Sequence, residues 1–266
     1  MQVQLLVAAL EADTKLLTNK LNIGSDCVIV NQCNEEKKEV TEHKGYRLTL
    51  ISDTDRGVGR NRNLAIDNRY TDSDIVLFGD EDITYEDGYA DRIIKAFETN
   101  PKADIILFNV RVCDERRTYW NDGVKKLSFY NVGRYPAYSI AIRNSSLTNS
   151  KIRYSILFGG GAKYSNGEDS VFLMEAYKKG LKIYTSPEVI GEEEKRESTW
   201  FKGYNEKFFF DRGVLFAFLY GPWANVWALR FVLTKKEMFK DGQISRKSAY
   251  KLIKDGIKQG KAERDK

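Results

Sequence analysis

The stretch Asp74-Ile75-Val76-Leu77-Phe78-Gly79-Asp80-Glu81-Asp82 is a short apolar run that ends in acid. An apolar run of this length reads as a buried strand, and buried strands end where the sheet opens to solvent. Two carboxylates two residues apart at that edge, Asp80 and Asp82, are well placed to hold a divalent cation against a phosphate. Acidic residues close many strands in α/β proteins, so the triplet takes its meaning from its company. Upstream lies Gly57-Val58-Gly59-Arg60-Asn61-Arg62-Asn63-Leu64-Ala65-Ile66, and downstream Asn166-Gly167-Glu168-Asp169-Ser170-Val171-Phe172.

Working outward, apolar runs at Leu5 to Leu10, Cys27 to Val30, Leu48 to Ile51 and Ile105 to Phe108 also read as buried strands. Helical spacing lies between them at Asn61 to Arg69 and Tyr89 to Glu98, the latter with Ile93, Ile94 and Phe97 on one face. The alternation predicts an α/β fold with a mainly parallel central sheet. Arg111 to Tyr154 is aromatic-rich and strand-prone. A helix from about Glu168 to Lys179, closed by Gly180, and a strand at Lys182 to Tyr184 follow the run Gly159-Gly160-Gly161.

The 266 residues are 42% hydrophobic and 30% charged, enough for one large globular domain with an appendage. Three cysteines without CxxC spacing suggest neither a disulfide framework nor a zinc site, and Met1 opens directly into a strand-like run, so a cytoplasmic setting is expected. The single histidine, His43, reads as a solvated loop residue, so carboxylates must carry the chemistry. Of the 43 basic residues, 11 lie from Thr234 onward, and the rest of the chain is close to neutral. Basicity therefore belongs to the tail and argues against a nucleic-acid-binding face on the main body.

The charge-free run Gly213 to Leu229 has 17 residues and is interrupted by Gly221-Pro222. A spanning helix wants about 20 apolar residues. Two short helices are expected instead, packed on the domain or lying at a membrane surface. In a last helix beginning near Ser245, Lys247, Lys251, Lys254, Lys258 and Lys261 share one face beside an apolar stripe of Ala249, Ile253 and Ile257. That face is either simply solvated or attracted to anionic lipid headgroups.

Gly57-x-Gly59-x-x-Arg62 lacks a third glycine and follows the third of these strands, so it is a poor dinucleotide fingerprint, and no P-loop sequence occurs. The run Gly57 to Ile66 instead resembles the glycine-to-Arg-Asn helix start of family 2 inverting glycosyltransferases. Asp80-Glu81-Asp82 resembles their DxD element, and Gly167-Glu168-Asp169 with Phe172 is similar to their Glu-Asp acceptor motif. The resemblance covers roughly residues 3 to 190, with the motifs in family order.

It implies a GT-A fold: a catalytic domain over residues 1–200, divided into a nucleotide-sugar-binding half (1–110) and an acceptor-binding half (111–200), then a helical extension (201–266). Carried over residue by residue, Asp82, with Asp80, would hold Mg²⁺ or Mn²⁺ against the donor diphosphate. Asp169 would be the catalytic base and Glu168 would orient the acceptor. Arg62 and Asn63, with Asp53, Gly57, Asp80 and Glu81, would line the nucleotide-sugar pocket. Asn31-Gln32 stands where the family carries an acidic pair, and its amides can still meet a base edge.

The chemistry agrees with that picture. A diphosphate leaving group develops charge that a cation neutralises, and one carboxylate on the other face can take the acceptor's proton during in-line attack. At a helix N-terminus Asp169 is expected to stay ionised.

Two departures bear on activity. The first strand ends Ala9-Leu10-Glu11-Ala12 in place of Pro-x-Tyr-Asn, and Arg196-Glu197-Ser198-Thr199-Trp200 does not match the Gln-x-x-Arg-Trp element of processive synthases. The sequence thus predicts a non-processive enzyme moving one sugar, a UDP-hexose its donor, to a saccharide or lipid-linked saccharide acceptor in surface polysaccharide synthesis. Its expected place is the cytoplasm, peripheral on the inner membrane face. Tyr119, Trp120, Tyr130, Tyr135 and Trp200 are candidates either for stacking on sugars or for the core. A sugar nucleotidyltransferase and a saccharide- or partner-binding module without catalysis remain open as other readings.

Overall fold

A computed structural model describes residues 1–113, 117–194, 203–239 and 244–265. The first half alternates strands and helices: β1 (Val3–Leu10), α1 (Thr14–Lys20), β2 (Asp26–Gln32), β3 (Lys37–His43), β4 (Tyr46–Asp53), α2 (Val58–Asp67), β5 (Ile75–Asp80), β6 (Ile83–Tyr85), α3 (Tyr89–Thr99) and β7 (Ile105–Arg111). Then come β8 (Ile140–Arg143), α4 (Asn144–Ser150), α5 (Glu168–Lys178), β9 (Ile183–Glu193), α6 (Glu206–Tyr220), α7 (Ala224–Thr234) and α8 (Arg246–Arg264).

All nine strands join one sheet in the order β3-β4-β2-β1-β5-β8-β7-β9-β6. The run β4-β2-β1-β5 is parallel, as expected, while β3, β8 and β6 each pair antiparallel with their neighbours. The sheet is therefore parallel where the first half of the chain builds it and mixed beyond β5. The apolar strand runs have a simple cause. Leu6, Val28 and Val76 enter one core, while Leu5, Ile29 and Leu77 enter another on the opposite face. With both faces covered, neither set of side chains can be polar.

Besides β6 and α4, two elements escape the sequence reading. In β3, Lys37 to Glu42 are all exposed, so this edge strand has no buried face to create an apolar alternation. Its charges suit an edge that must not pair with another chain. His43 closes that strand opposite Tyr46 and is half-buried, correcting the expected solvated loop position. The other is α1, a short helix whose Asp13 cap accepts from Lys15 and Leu16 N–H, with Leu17 its one buried leucine.

The C-terminal helices pack on the domain. Val214, Leu215 and Leu219 of α6 enter the main core, and α6, α7 and α8 share a further core that includes Ala249, Ile253 and Ile257. Lys247, Lys251, Lys254, Lys258 and Lys261 face solvent. Among the described residues no helix is long and apolar enough to cross a membrane.

Contact between α6 and α8 is made backbone to backbone. A Cβ on Gly256 would lie 2.0 Å from the Phe210 carbonyl oxygen, and one on Gly213 would lie 2.1 Å from that of Ile253. Ala normally improves a helix interior over Gly by about 1 kcal/mol. Here Gly256→Ala is expected to lower stability instead, by about 1–3 kcal/mol, because the helices must part to admit the methyl group. Urea denaturation checks this; a stabilised variant would show that α6 and α8 separate without cost.

Candidate active site

The parallel strands β1, β2, β4 and β5 end at one edge of the sheet, where Leu10 pairs with Gln32, Gln32 with Asp53, and Ala8 with Asp80. In open α/β sheets this edge is where ligands bind. Helix α2 is set against it by two glycines. Gly57 has φ +116°, a conformation L side chains rarely adopt, and a Cβ on Gly59 would lie 2.2 Å from the Ser155 carbonyl oxygen.

Side chains from the first turns of α2 then pin the neighbouring segments. Asn61 Nδ2 donates to the Ala9 and Val30 carbonyls, at 3.2 and 2.9 Å. Asn63 clamps the Tyr154 backbone, donating to its carbonyl and accepting from its N–H, both at 2.9 Å.

Between these amides stands Arg62, its side chain 5% exposed. One terminal nitrogen donates to Asp80 Oδ1 at 2.8 Å; the other donates to Asp169 Oδ1 at 2.8 Å and Glu168 Oε1 at 3.2 Å. Its guanidinium also lies 5.1 Å from the centroid of the Tyr154 ring, which stacks on Phe172. A single buried cation thus ties the end of β5 to the start of α5, joining Asp80 to Asp169 across 89 residues of chain.

Asp169 accepts a second hydrogen bond, from the Ala137 N–H to Oδ2 at 3.0 Å. Burial pushes its carboxyl up to about 8; Arg62 opposes the rise, Glu168 and Asp80 add to it, and the Ala137 N–H opposes it weakly. This corrects the expectation that the helix N-terminus keeps Asp169 ionised at neutral pH. Withdrawal from water among like charges outweighs the helix dipole here. The carboxylate side chains remain partly open to solvent, Asp80 at 26% and Asp169 at 20%.

The other predicted residues have quieter surroundings. Asn31 donates to the Ala12 carbonyl and accepts from its N–H, and Gln32 Nε2 donates to the Asp55 and Gly57 carbonyls. Both amides, expected to face a base edge, are buried and engaged with backbone. Glu81 Oε2 accepts from the Leu10 N–H at 2.9 Å and so fastens the end of β1. Tyr119 and Tyr135 belong to the core, whereas Trp120 and Tyr130 are exposed; Trp200 lies outside the described residues.

Asp211 was missed. It is 3% exposed in α6 and accepts from the Ser165 N–H and hydroxyl, at 3.0 and 2.8 Å, just ahead of Gly167. Its signal was legible: a lone acid inside Phe208-Phe209-Phe210-Asp211-Arg212-Gly213.

No group of three or more His, Cys, Asp or Glu side chains among the described residues forms a protein cage for a metal. Asp80 closes β5 and Asp82 follows two residues later, so the sequence supplies two carboxylates there. That donor set suits Mg²⁺ or Mn²⁺, hard cations that bind through one or two carboxylates and take their remaining ligands from phosphate and water.

Comparison with known proteins decides the family. The description "Glycosyl transferase family 2" matches residues 20–158, more than half of the chain. The chain belongs to glycosyl transferase family 2. No curated protein matches its sequence. Among solved structures, S. aureus TarS 1-349 in complex with UDP-GlcNAc aligns at TM-score 0.66 and 15% identity, covering all of this chain and 83% of that one. S. aureus TarS aligns at 0.64 and 15% identity, covering 99% of this chain and 50% of that one. Identity this low speaks to the fold alone, and that fold is the GT-A arrangement expected from the sequence. As a family 2 member the protein is a glycosyltransferase, which sets aside the nucleotidyltransferase reading.

Proposed function

We propose that this glycosyltransferase moves one sugar, with inversion, from a nucleotide-sugar to a saccharide or lipid-linked saccharide acceptor in surface polysaccharide synthesis, with a UDP-hexose as donor. The observation that carries the reading is the Arg62 bridge, which brings Asp80 of the DxD-like strand end beside Glu168 and Asp169 of the acceptor motif. The UDP-GlcNAc complex of TarS, a protein of like fold, supports the donor class.

In this reading Asp169 takes the proton of the acceptor hydroxyl as that oxygen attacks the anomeric carbon. The bond from that carbon to the diphosphate oxygen breaks, and the nucleotide diphosphate leaves. A carboxyl raised toward neutral pH is a stronger base than an ordinary aspartate. Glu168 orients the acceptor. Asp53, Gly57, Asn63 and Glu81 shape the donor pocket through the strand ends and the α2 turn, and Asn31 and Gln32 do so through the backbone they hold. Asp80 and Asp82 would hold Mg²⁺ or Mn²⁺, which supplies positive charge to the departing diphosphate.

Residues 1–110, 111–200 and 201–266 serve as donor half, acceptor half and helical extension. The exposed lysine face of α8 supports attraction to anionic lipid headgroups on the inner membrane face.

The test is nucleotide diphosphate release from a panel of nucleotide-sugars with saccharide acceptors, with and without Mn²⁺, and the anomeric configuration of the product. Retained configuration would overturn the single-base mechanism. Asp82→Asn is expected to weaken Mn²⁺-dependent donor binding; unchanged affinity, or a loss confined to turnover, removes Asp82 from the cation site.

A further inference from the structure

At the end of α5 remote from Asp169, a groove of about 1300 Å³ runs between the C-terminal ends of α5 and α6 and the start of α7. This exceeds the roughly 300–1,000 Å³ of pockets that hold compact small molecules. Its wall is aromatic: Trp227 stacks on Tyr220 at 4.4 Å, with Phe129, Tyr130 and Trp223 beside them. The outer face of α7 continues the apolar surface. Trp223 is 64% exposed, Val226 59%, Leu229 49% and Leu233 56%, while Ala224, Ala228 and Val232 fill the inner face. Apart from Asn225 and Arg230, the outer face of α7 as far as Leu233 is apolar and forms a second surface to cover.

Three cations meet this surface. Lys178 donates to the Phe218 carbonyl, Arg264 donates to the Ala217 carbonyl, and Arg230 lies 5.1 Å from the Trp227 ring centroid. No carboxylate pairs with any of the three among the described residues. Burial and the nearby Arg264 push the Lys178 ammonium below its ordinary pKa, against the smaller opposing pull of Glu175.

We propose that this groove binds an anionic lipid, its hydrocarbon chain along the aromatic wall and its phosphate at Lys178, Arg230 and Arg264. Charge selects this occupant. Long apolar area beside a basic cluster is the complement of an amphiphile with an anionic head, whereas a second copy seated face to face would bring the same cations together. The inference deepens the lipid-surface reading above and rests on it for purpose, not for chemistry. From Lys178 to Asp169 is nine residues of α5, roughly 14 Å at about 1.5 Å per residue, so a lipid held here stands one helix length from the acceptor motif.

The experiment uses the full chain with phosphatidylcholine vesicles, with and without phosphatidylglycerol, and reads both co-sedimentation and quenching of tryptophan fluorescence by brominated acyl chains. Binding that requires phosphatidylglycerol is expected, with quenching that disappears in Trp223→Phe/Trp227→Phe while sedimentation persists. Lys178→Gln/Arg230→Gln should bind about tenfold more weakly or worse, at roughly 1 kcal/mol per basic residue, with an unchanged thermal midpoint. Sedimentation without quenching would overturn the proposal, leaving only the α8 lysines at the surface. Equal binding to both vesicle types would overturn it too, as would a solution dimer dissolved by Val226→Asp. None of these readouts involves sugar transfer, so failure of the donor or acceptor assignment is seen separately.

Discussion

Replacing Asp169 with Asn is expected to lower sugar transfer by about 10²- to 10⁴-fold, the usual loss when a general base is removed. Donor binding and fold should survive, because the amide oxygen can still accept from Arg62, with only the Ala137 N–H contact to the other carboxylate oxygen given up. The pH profile separates this role from a structural one. A base acts in its deprotonated form, and the Asp169 carboxyl is raised to about 8, so kcat/KM of the native enzyme should rise with pH and level off above about 8. In Asp169→Asn that rising limb should disappear from whatever transfer remains. Near-normal transfer, or an unchanged limb, would assign the base elsewhere.

Arg62→Met carries the second large effect. The variant keeps a side chain of similar length but leaves Asp80, Glu168 and Asp169 facing one another without their cation. Removing one partner from a buried ionic cluster costs about 3–5 kcal/mol. The pH dependence gives the sign. Arg62 holds the Asp169 carboxyl down, so its loss raises that folded-state pKa further above the unfolded value. A group raised on folding contributes stability at low pH that is lost as pH rises. In both proteins the folded-state Asp169 carboxyl stays protonated up to about pH 8, so the deficit of the variant that comes from this group should open as pH rises through about 8, where the native carboxyl ionises beside Arg62 and the variant's does not. Urea denaturation on both sides of that pH is the measurement. A deficit independent of pH would mean that Arg62 matters by packing on Tyr154 and not by charge. Arg62→Lys should be intermediate, since an ammonium lacks the planar fork that reaches both motifs.

The C-terminal region shows how far a sequence alone carries. Gly221-Pro222 correctly divides the apolar segment into α6 and α7, and Ser245 correctly begins α8, because caps and breakers act locally. Which faces those helices bury is not a local matter. Gly256 and Gly260 look like defects in a helical pattern until Phe210 and Val214 of α6 are found against them.

The same division runs through the site. Buried strands, the acid-ended β5, the glycine turn into α2 and the acidic start of α5 are each written in consecutive residues, since each depends on side-chain period, backbone freedom or helix capping. The family and its fold class followed from those motifs and their order. By contrast, the sequence leaves Arg62 either to meet the nucleotide or to brace the acidic loop, and only the fold shows it bonded to Asp80, Glu168 and Asp169 together. Asn31 and Gln32 read as base-facing amides and proved to hold backbone. The acidity of Asp169 ran opposite to its helix position. Each outcome depends on contacts between segments distant in the chain, which fix partners, burial and local charge together, and one-dimensional spacing contains none of these.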